Sequence, residues 1–338
     1  MSGPLKVCCI GAGYFGLFHR DAWTRINGAE LVACCDNDIE QARKAQVPAY
    51  DDVDAMVRET SPDIVDIITP PDTHFGLIEK LIHAGVKTII CQKPFCVSGA
   101  QARQAAELAQ QSGVRLIVHE NFRFQPWFRA MKTVLHDGRL GEVQNFTFRL
   151  RTGDGQGPDA YLERQPYFQT MERFLIHETA IHYIDVFRFL FGEPTSIYAD
   201  LRKLNPALAG EDAGHFIFGF ENGMRAVFDG NRHLDHASHN TRLTFGEALL
   251  EGTKGCVRLS GDGSLVLRSF GAMEETMLLK PQIWTGFAGN SVHALQSHVV
   301  ECVLRGETPE NTAREYQANL ELEEAIYRSD ESGMRIKL

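Results

Sequence analysis

Short, almost unbroken apolar runs alternate with longer amphipathic stretches over the first third of the chain. The runs in LKVCCIGAG, AELVACCD, DIVDIITPP, VKTIICQKP and VRLIVHEN read as buried strands. Between them, FGLIEKLIHAG and GAQARQAAELAQQSG carry the apolar spacing of helices. Strand–helix alternation with continuously apolar strands predicts a parallel sheet covered by helices on both faces, ending near Asn121. Beyond that point the period falls to two. EVQNFTFRLR, TSIYADLRK, AGHFIFGFENGMRAVFDG, TRLTFGEALLEG and GCVRLSGDGSLVLRSFG alternate apolar with polar residues between Gly, Asn and Asp breaks. They predict a mostly antiparallel sheet. FENGMR reads as a hairpin with a type I′ turn at Asn222-Gly223, and SGDGSL as a second hairpin. Two helices, SVHALQSHVVECVLRG and TAREYQANLELEEAIYRSD, are expected near the end of the sequence. The pattern therefore divides the chain into 1–121, an α/β unit, and 122–338, an α+β unit, with a Gly-rich and then aromatic loop at 152–169 expected near a site.

One helical segment interrupts the second half. FLIHETAIHYID holds His177, Glu178, His182 and Asp185. A zinc protease helix carries His-Glu-x-x-His, with its imidazoles four apart. Here they are five apart, which on a regular α-helix turns them about 140° away from each other. Glu178 and His182 are four apart and share a face, and Asp185, three further on, lies on it too and completes the candidate constellation. A carboxylate beside an imidazole is a general-base arrangement as readily as a metal site, and a histidine on such a helix also reads as a core residue. No metal site is expected. The His-rich RHLDHASH (232–239) lacks a metal-ligand spacing, and Asn231, Arg232 and His236 there are further candidates for the site.

Composition narrows the class. The 338 residues carry a net charge of −10, are 43% hydrophobic and 23% charged, and hold no prominent run of Lys or Arg. Nucleic acid and anionic membrane are therefore not the expected partners. The eight cysteines include the adjacent pairs Cys8-Cys9 and Cys34-Cys35 inside apolar runs, and they read as small buried hydrophobes in a reducing cytoplasm. MSGPLKVCCIGAGYFG has no charged segment leading into a long apolar core, and no run reaches the length of a membrane span.

The strongest chemical signal is IGAGYFG. Gly11, Gly13 and Gly16 follow the first strand directly, with Tyr14 and Phe15 inside the turn. Glycines there permit a tight turn and close approach of a pyrophosphate to the next helix N-terminus. Asp36 ends the second strand, 20 residues past Gly16, where a carboxylate accepts the adenine-ribose hydroxyls. Asp36 also reads as a cap of the following helix. As a ribose acceptor without an adjacent basic residue it favours NAD over NADP. Lys93 in CQKPF, Thr69, Pro70 and His74 in ITPPDTH, and Gln92 lie at other strand ends, where ligands bind in open α/β sheets. Lys93 reads either as a group that stabilises charge on a substrate oxygen or as a surface lysine.

Taken with NFRFQPWFRAMKTVLHDGRLGEV, ETAIHYIDVFRFLFGEP and AIYRSDESGMRIKL, these motifs resemble the glucose–fructose oxidoreductase / inositol dehydrogenase (Gfo/Idh/MocA) family over nearly the whole chain. The resemblance implies a Rossmann domain followed by an α+β domain that carries a large, mostly antiparallel sheet. It further implies a cytoplasmic, homodimeric or homotetrameric dehydrogenase acting on a sugar, inositol or related polyol. It places Lys93, His182 and Glu178 as the catalytic group. His182 would be the base, Lys93 would stabilise the oxygen, and Glu178 would support the imidazole. Asn121, Arg123, Tyr161 and Tyr167 fall on the substrate side. Gln92 stands where the family has glutamate, and Glu178 where it has aspartate. A dinucleotide-dependent sensor without catalysis is the alternative on the same fold.

Overall fold

The computed structural model describes residues 3–338. The first compact unit is built on a parallel sheet of β1 (Leu5–Ile10), β2 (Ala29–Cys35), β3 (Ala49–Tyr50), β4 (Ile64–Ile67), β5 (Thr88–Gln92) and β6 (Arg115–His119). Their spatial order, 3-2-1-4-5-6, is the doubly wound order of dinucleotide-binding sheets. The apolar runs give strands buried on both faces. Cys8, Cys9, Cys34, Cys35 and Cys91 lie wholly inside, and all eight cysteines are free thiols. Burial pushes the Cys34 thiol up to about 11 and that of Cys35, with Cys34 and Asp36 beside it, to about 12. Such thiols pack as hydrophobes.

The units do not follow the single cut at 121/122 expected from the sequence. Residues 290–320 also belong to the first unit. The physical reason is the edge of the sheet. Strand β6 is the last strand in the sheet order, and the chain at Asn311–Thr312 covers its outer edge. Val118 donates to Asn311 O at 2.9 Å, Ile117 bridges Thr312, and the Asn311 amide donates to Glu120 O at 2.7 Å. The helix Ser291–Arg305 packs on the helix Gly16–Trp23.

The second unit, 122–289 with 321–338, is built on nine strands. They are β7 (Val143–Leu150), β8 (Ser196–Arg202), β9 (Ala213–Gly219), β10 (Arg225–Asn231), β11 (Gly246–Gly252), β12 (Gly255–Leu259), β13 (Leu265–Ser269), β14 (Glu275–Leu279) and β15 (Ile336–Lys337). The order is 14-13-12-11-7-10-9-8-15, antiparallel except between β7 and β10. Alternation sorts the two faces. Ala248, Phe148, Phe228, Phe216 and Ala199 form one register row across five strands, buried beneath Tyr183 and Phe187 of the helix Ile181–Phe191. The neighbouring rows face the other way: Leu249, Thr147, Val227, Ile217 and Tyr198, then Glu247, Arg149, Asp229, His215 and Asp200.

Both hairpins form, but FENGMR does not use a type I′ turn. Gly223 N–H bonds Phe220 O at 3.0 Å, and only Gly223, not Asn222, has a positive φ (84°). This is a type I turn closed by a left-handed glycine, and Gly263 (φ 80°) does the same in SGDGSL.

Candidate functional site

In the first unit, Gly11 adopts φ 102°, and a Cβ there would lie 2.8 Å from the Ile68 carbonyl carbon and oxygen. A Cβ on Gly16 would lie 2.9 Å from Gly11 O. These two glycines are required by packing of the turn against its own chain. Gly13 differs, because a Cβ there meets nothing within 4 Å. Its bare backbone fronts open space, as a pyrophosphate needs. The helix Gly16–Trp23 starts from Phe15, whose side chain has no acceptor to cap it, while Tyr14 stands exposed.

Asp36 braces this turn. Its Oδ2 accepts from Ala12 N at 2.7 Å and its Oδ1 from Asp38 N at 3.0 Å. The cap of the next helix, Ile39–Arg43, is Asp38, so Asp36 is not used for capping. Arg43 is paired with Glu40, and Lys44 donates to Gln41 at 2.8 Å. The glycine turn, the open space at Gly13 and the Asp36 carboxylate together fit an NAD(P) dinucleotide.

The other strand-end residues are tied to one another. His74 is fully buried, with Nε2 2.8 Å from Thr69 O and Nδ1 3.4 Å from Phe95 O, so it joins the loop after β4 to the loop after β5. Burial lowers its pKa, against the opposing pull of the Thr69, Phe95 and Pro94 carbonyls. The Thr69 and Thr73 hydroxyls lie 2.6 Å apart, and Pro70 precedes the helix Pro71–His83. Gln92 Oε1 accepts from Lys93 N at 2.7 Å, and its Nε2 lies 3.1 Å from His19 Nε2. An amide nitrogen only donates, so His19 Nε2 accepts and its Nδ1–H donates to Asp66 Oδ2 at 2.8 Å. Trp23 Nε1 and Gln296 Nε2 donate to the same oxygen. The carboxyl group that Gln92 lacks is thus present one strand away, on the fully buried Asp66. Asn121 is buried and donates to Ser291 Oγ at 2.6 Å.

In the second unit, the segment carrying Glu178 is not a regular α-helix. Leu175–Ala180 is a π-helical turn, and α-helix begins only at Ile181. A uniform period of 3.6 residues, the basis of the sequence argument, does not hold there, because i→i+5 bonding widens the turn. Glu211 sets its start. Its Oε1 accepts from Phe174 N and Ile176 N, both at 3.1 Å, and from the Tyr327 hydroxyl at 2.7 Å. His177 is drawn to Glu323 at 2.7 Å. His182 is buried and stacks on Phe122 with ring centres 4.0 Å apart and planes 7° from parallel.

Glu178 Oε2 accepts from the Thr179 hydroxyl and lies 3.5 Å from Arg232 Nη1. Arg232 also donates to Thr179 Oγ1 at 2.7 Å, and its Nη2 lies 3.3 Å from Asp154 Oδ2. Tyr161, with φ 71°, turns its hydroxyl to Asp154 at 3.3 Å. Burial would raise the Asp154 pKa, but Arg232, Thr152 and Arg164 hold it below the usual carboxylate range. Arg123 is committed to Asp185 through two bonds of 2.8 and 2.6 Å. Tyr167 stays exposed and accepts from Gln165 Nε2 at 2.9 Å; burial of its hydroxyl and the charge of Glu178 raise its pKa. In the His-rich segment, Asn231 Oδ1 accepts from His233 N, His233 pairs with Asp212 and His236 with Arg151 O. Among the described residues no three His, Cys, Asp or Glu side chains form a metal-binding group. Sequence reasoning missed Asp66, Asp154, Thr179 and Glu211, whose partners lie up to 230 residues away.

A glycine-turned parallel sheet with a carboxylate at the end of β2, joined to an α+β unit with a buried histidine on its sheet-covering helix, defines a class of dinucleotide-dependent oxidoreductases. Residues 5–120 match the family described as oxidoreductases with an NAD-binding Rossmann fold, and residues 128–258 match the GFO/IDH/MocA C-terminal domain. The chain belongs to the Gfo/Idh/MocA family. It is 35% identical to the D-apiose dehydrogenase of Paraburkholderia graminis, over 98% of this chain and 89% of that one. To the inositol 2-dehydrogenase of Rhizobium meliloti it is 31% identical over 73% of each chain. It is also similar to the crystal structure of an oxidoreductase from Agrobacterium radiobacter in complex with NAD+, L-tartaric acid and magnesium (TM-score 0.88, 28% identity, 98% of both chains). No helix among the described residues is long and apolar enough to cross a membrane.

Proposed function

We propose that the protein oxidises a secondary alcohol of a sugar, inositol or related polyol with NAD, apiose being the leading candidate from the D-apiose dehydrogenase similarity. Gly11, Gly13, Tyr14, Phe15 and Gly16 would hold the pyrophosphate and Asp36 the adenine ribose, with Thr69, Pro70, His74, Gln92 and Lys93 toward the nicotinamide. When bound, the nicotinamide takes up the hydride that leaves the alcohol carbon. His182 removes the hydroxyl proton as the general base. Lys93 stabilises the negative charge growing on the oxygen. Glu178 is the fixed anion that supports the positive charge on His182. Among the substrate-side candidates Asn121, Arg123, Tyr161 and Tyr167, Tyr167 is the most exposed side chain. The open row from Leu249 to Tyr198 supports a homo-oligomer, and the free thiols support a reducing cytoplasm.

The observation that carries this reading is the Asp36-braced glycine turn in a chain that also keeps both Lys93 and His182. The test is NADH formation from a panel of D-apiose, inositols and aldoses. At least one should react, and His182→Ala should lower turnover by roughly a hundred- to ten-thousand-fold with NADH affinity unchanged. Lys93→Ala should also slow turnover. A folded His182→Ala protein at the wild-type rate would overturn the mechanism. Tight NADH binding without turnover across the panel would favour a sensor.

A further inference from the structure

The charge of Glu178 is held in place by an arrangement that continues two residues deep into the second unit. A hydroxyl carries one proton. Arg232 Nη1 donates to Thr179 Oγ1 at 2.7 Å, so the Thr179 proton is directed away from Arg232 and onto Glu178 Oε2. Arg232 is itself enclosed. Only 3% of it is exposed, and Asp154 holds its Nε and Nη2. The rings of Tyr161, Phe168 and Phe174 stand 5.0, 5.6 and 4.6 Å from its guanidinium. Asp154 is fixed in turn by Thr152 at 2.5 Å and Arg164 at 3.1 Å. Two guanidinium groups thus balance two carboxylates, and an aromatic box fixes the geometry. A buried cation set among rings and paired on both sides keeps a single orientation. The π-helical turn brings Glu178 and Thr179 to it together.

We propose that Arg232 and Thr179 are positioning residues, a clamp that keeps Glu178 in one orientation as a hydrogen-bonded anion during turnover. This rests on the support role given to Glu178 above. The clamp acts on a charge that matters when His182 is protonated, so its loss falls on kcat and leaves KM in place.

Thr179→Val keeps the shape of the side chain and removes the hydroxyl. It should lower kcat by roughly ten- to a hundredfold, the range for a hydrogen bond to a charged group, with KM changed by less than about twofold. Thr179→Ser should restore most of the rate. In a Glu178→Gln background Thr179→Val should cost less than about twofold, because the two changes break one interaction. Arg232→Lys, which cannot reproduce the fork, should behave like Thr179→Val. The same cycle read in thermal midpoints tests the coupling without any substrate: the loss on Thr179→Val should shrink when Glu178 is Gln. A slow Glu178→Gln enzyme beside a Thr179→Val enzyme at the wild-type rate overturns the clamp alone. Equal losses in both backgrounds also overturn it. A Glu178→Gln enzyme at the wild-type rate overturns the support role of Glu178, and the clamp with it.

Discussion

Asp36 does two things with one carboxylate. It braces the glycine turn through Ala12 and Asp38, and in the proposed function its remaining lone pairs would accept from ribose hydroxyls and repel a 2′-phosphate. The protein should therefore bind NADH more tightly than NADPH in a fluorescence titration; equal or tighter NADPH binding refutes the assignment. Asp36→Ser with Asn37→Arg should shift the preference toward NADPH. It should also weaken both nucleotides somewhat, since the brace on Ala12 is shortened. Gly11, Gly16 and Asp36 were legible in the sequence because their constraints are local: a turn that no Cβ fits, and an acid at a set distance from it. Arg232 was visible only as one candidate among several in a His-rich segment, because its partners Asp154 and Glu178 lie 78 and 54 residues away.

At the level of elements, the π-helical turn is where reading the sequence by period fails. The pattern of FLIHETAIHYID suits a helix, but one inserted residue changes which side chains share a face, and Glu211, which accepts from the start of the turn, is 35 residues downstream of Ile176. Strands and hairpins were read more fully, since alternation reports directly which side is buried; the turn type in FENGMR differed, and β3, β14 and β15 were not expected. Glu211 should therefore matter more than an ordinary loop acid. Burial and the adjacent Glu211 raise the Tyr327 pKa, which keeps that hydroxyl a donor. Glu211→Ala leaves two backbone N–H groups and the Tyr327 hydroxyl without this acceptor, and should destabilise the protein by about 1–3 kcal/mol in a denaturant titration. Turnover should fall with it, as Glu178 and His182 follow the turn. A stable Glu211→Ala protein with full activity would show that the turn is set by its own sequence.

At the scale of the whole molecule, a row of Leu249, Thr147, Val227, Ile217 and Tyr198 leaves apolar side chains on the open side of the nine-stranded sheet, beside a row of alternating charges. Sedimentation at micromolar concentration should give two or four times the mass of one chain, and Val227→Lys, at the centre of that row, should shift it toward the monomer. A wild-type monomer would count against the assignment. The change of period at residue 121 coincides with the end of the first unit's opening segment, whereas the return of residues 290–320 to that unit has no signal in the sequence, because the amphipathic pattern of a helix does not say which sheet it will cover. That return has a consequence for synthesis. When the ribosome has finished β6, the sheet edge still lacks Asn311 and the buried Asp66 still lacks Gln296. At about 5–20 residues per second, roughly 10–40 s pass before those partners emerge. For that interval the nascent nucleotide-binding sheet has an open edge and an under-bonded internal carboxylate, so the first unit can close only after residues 122–289 of the second have been made.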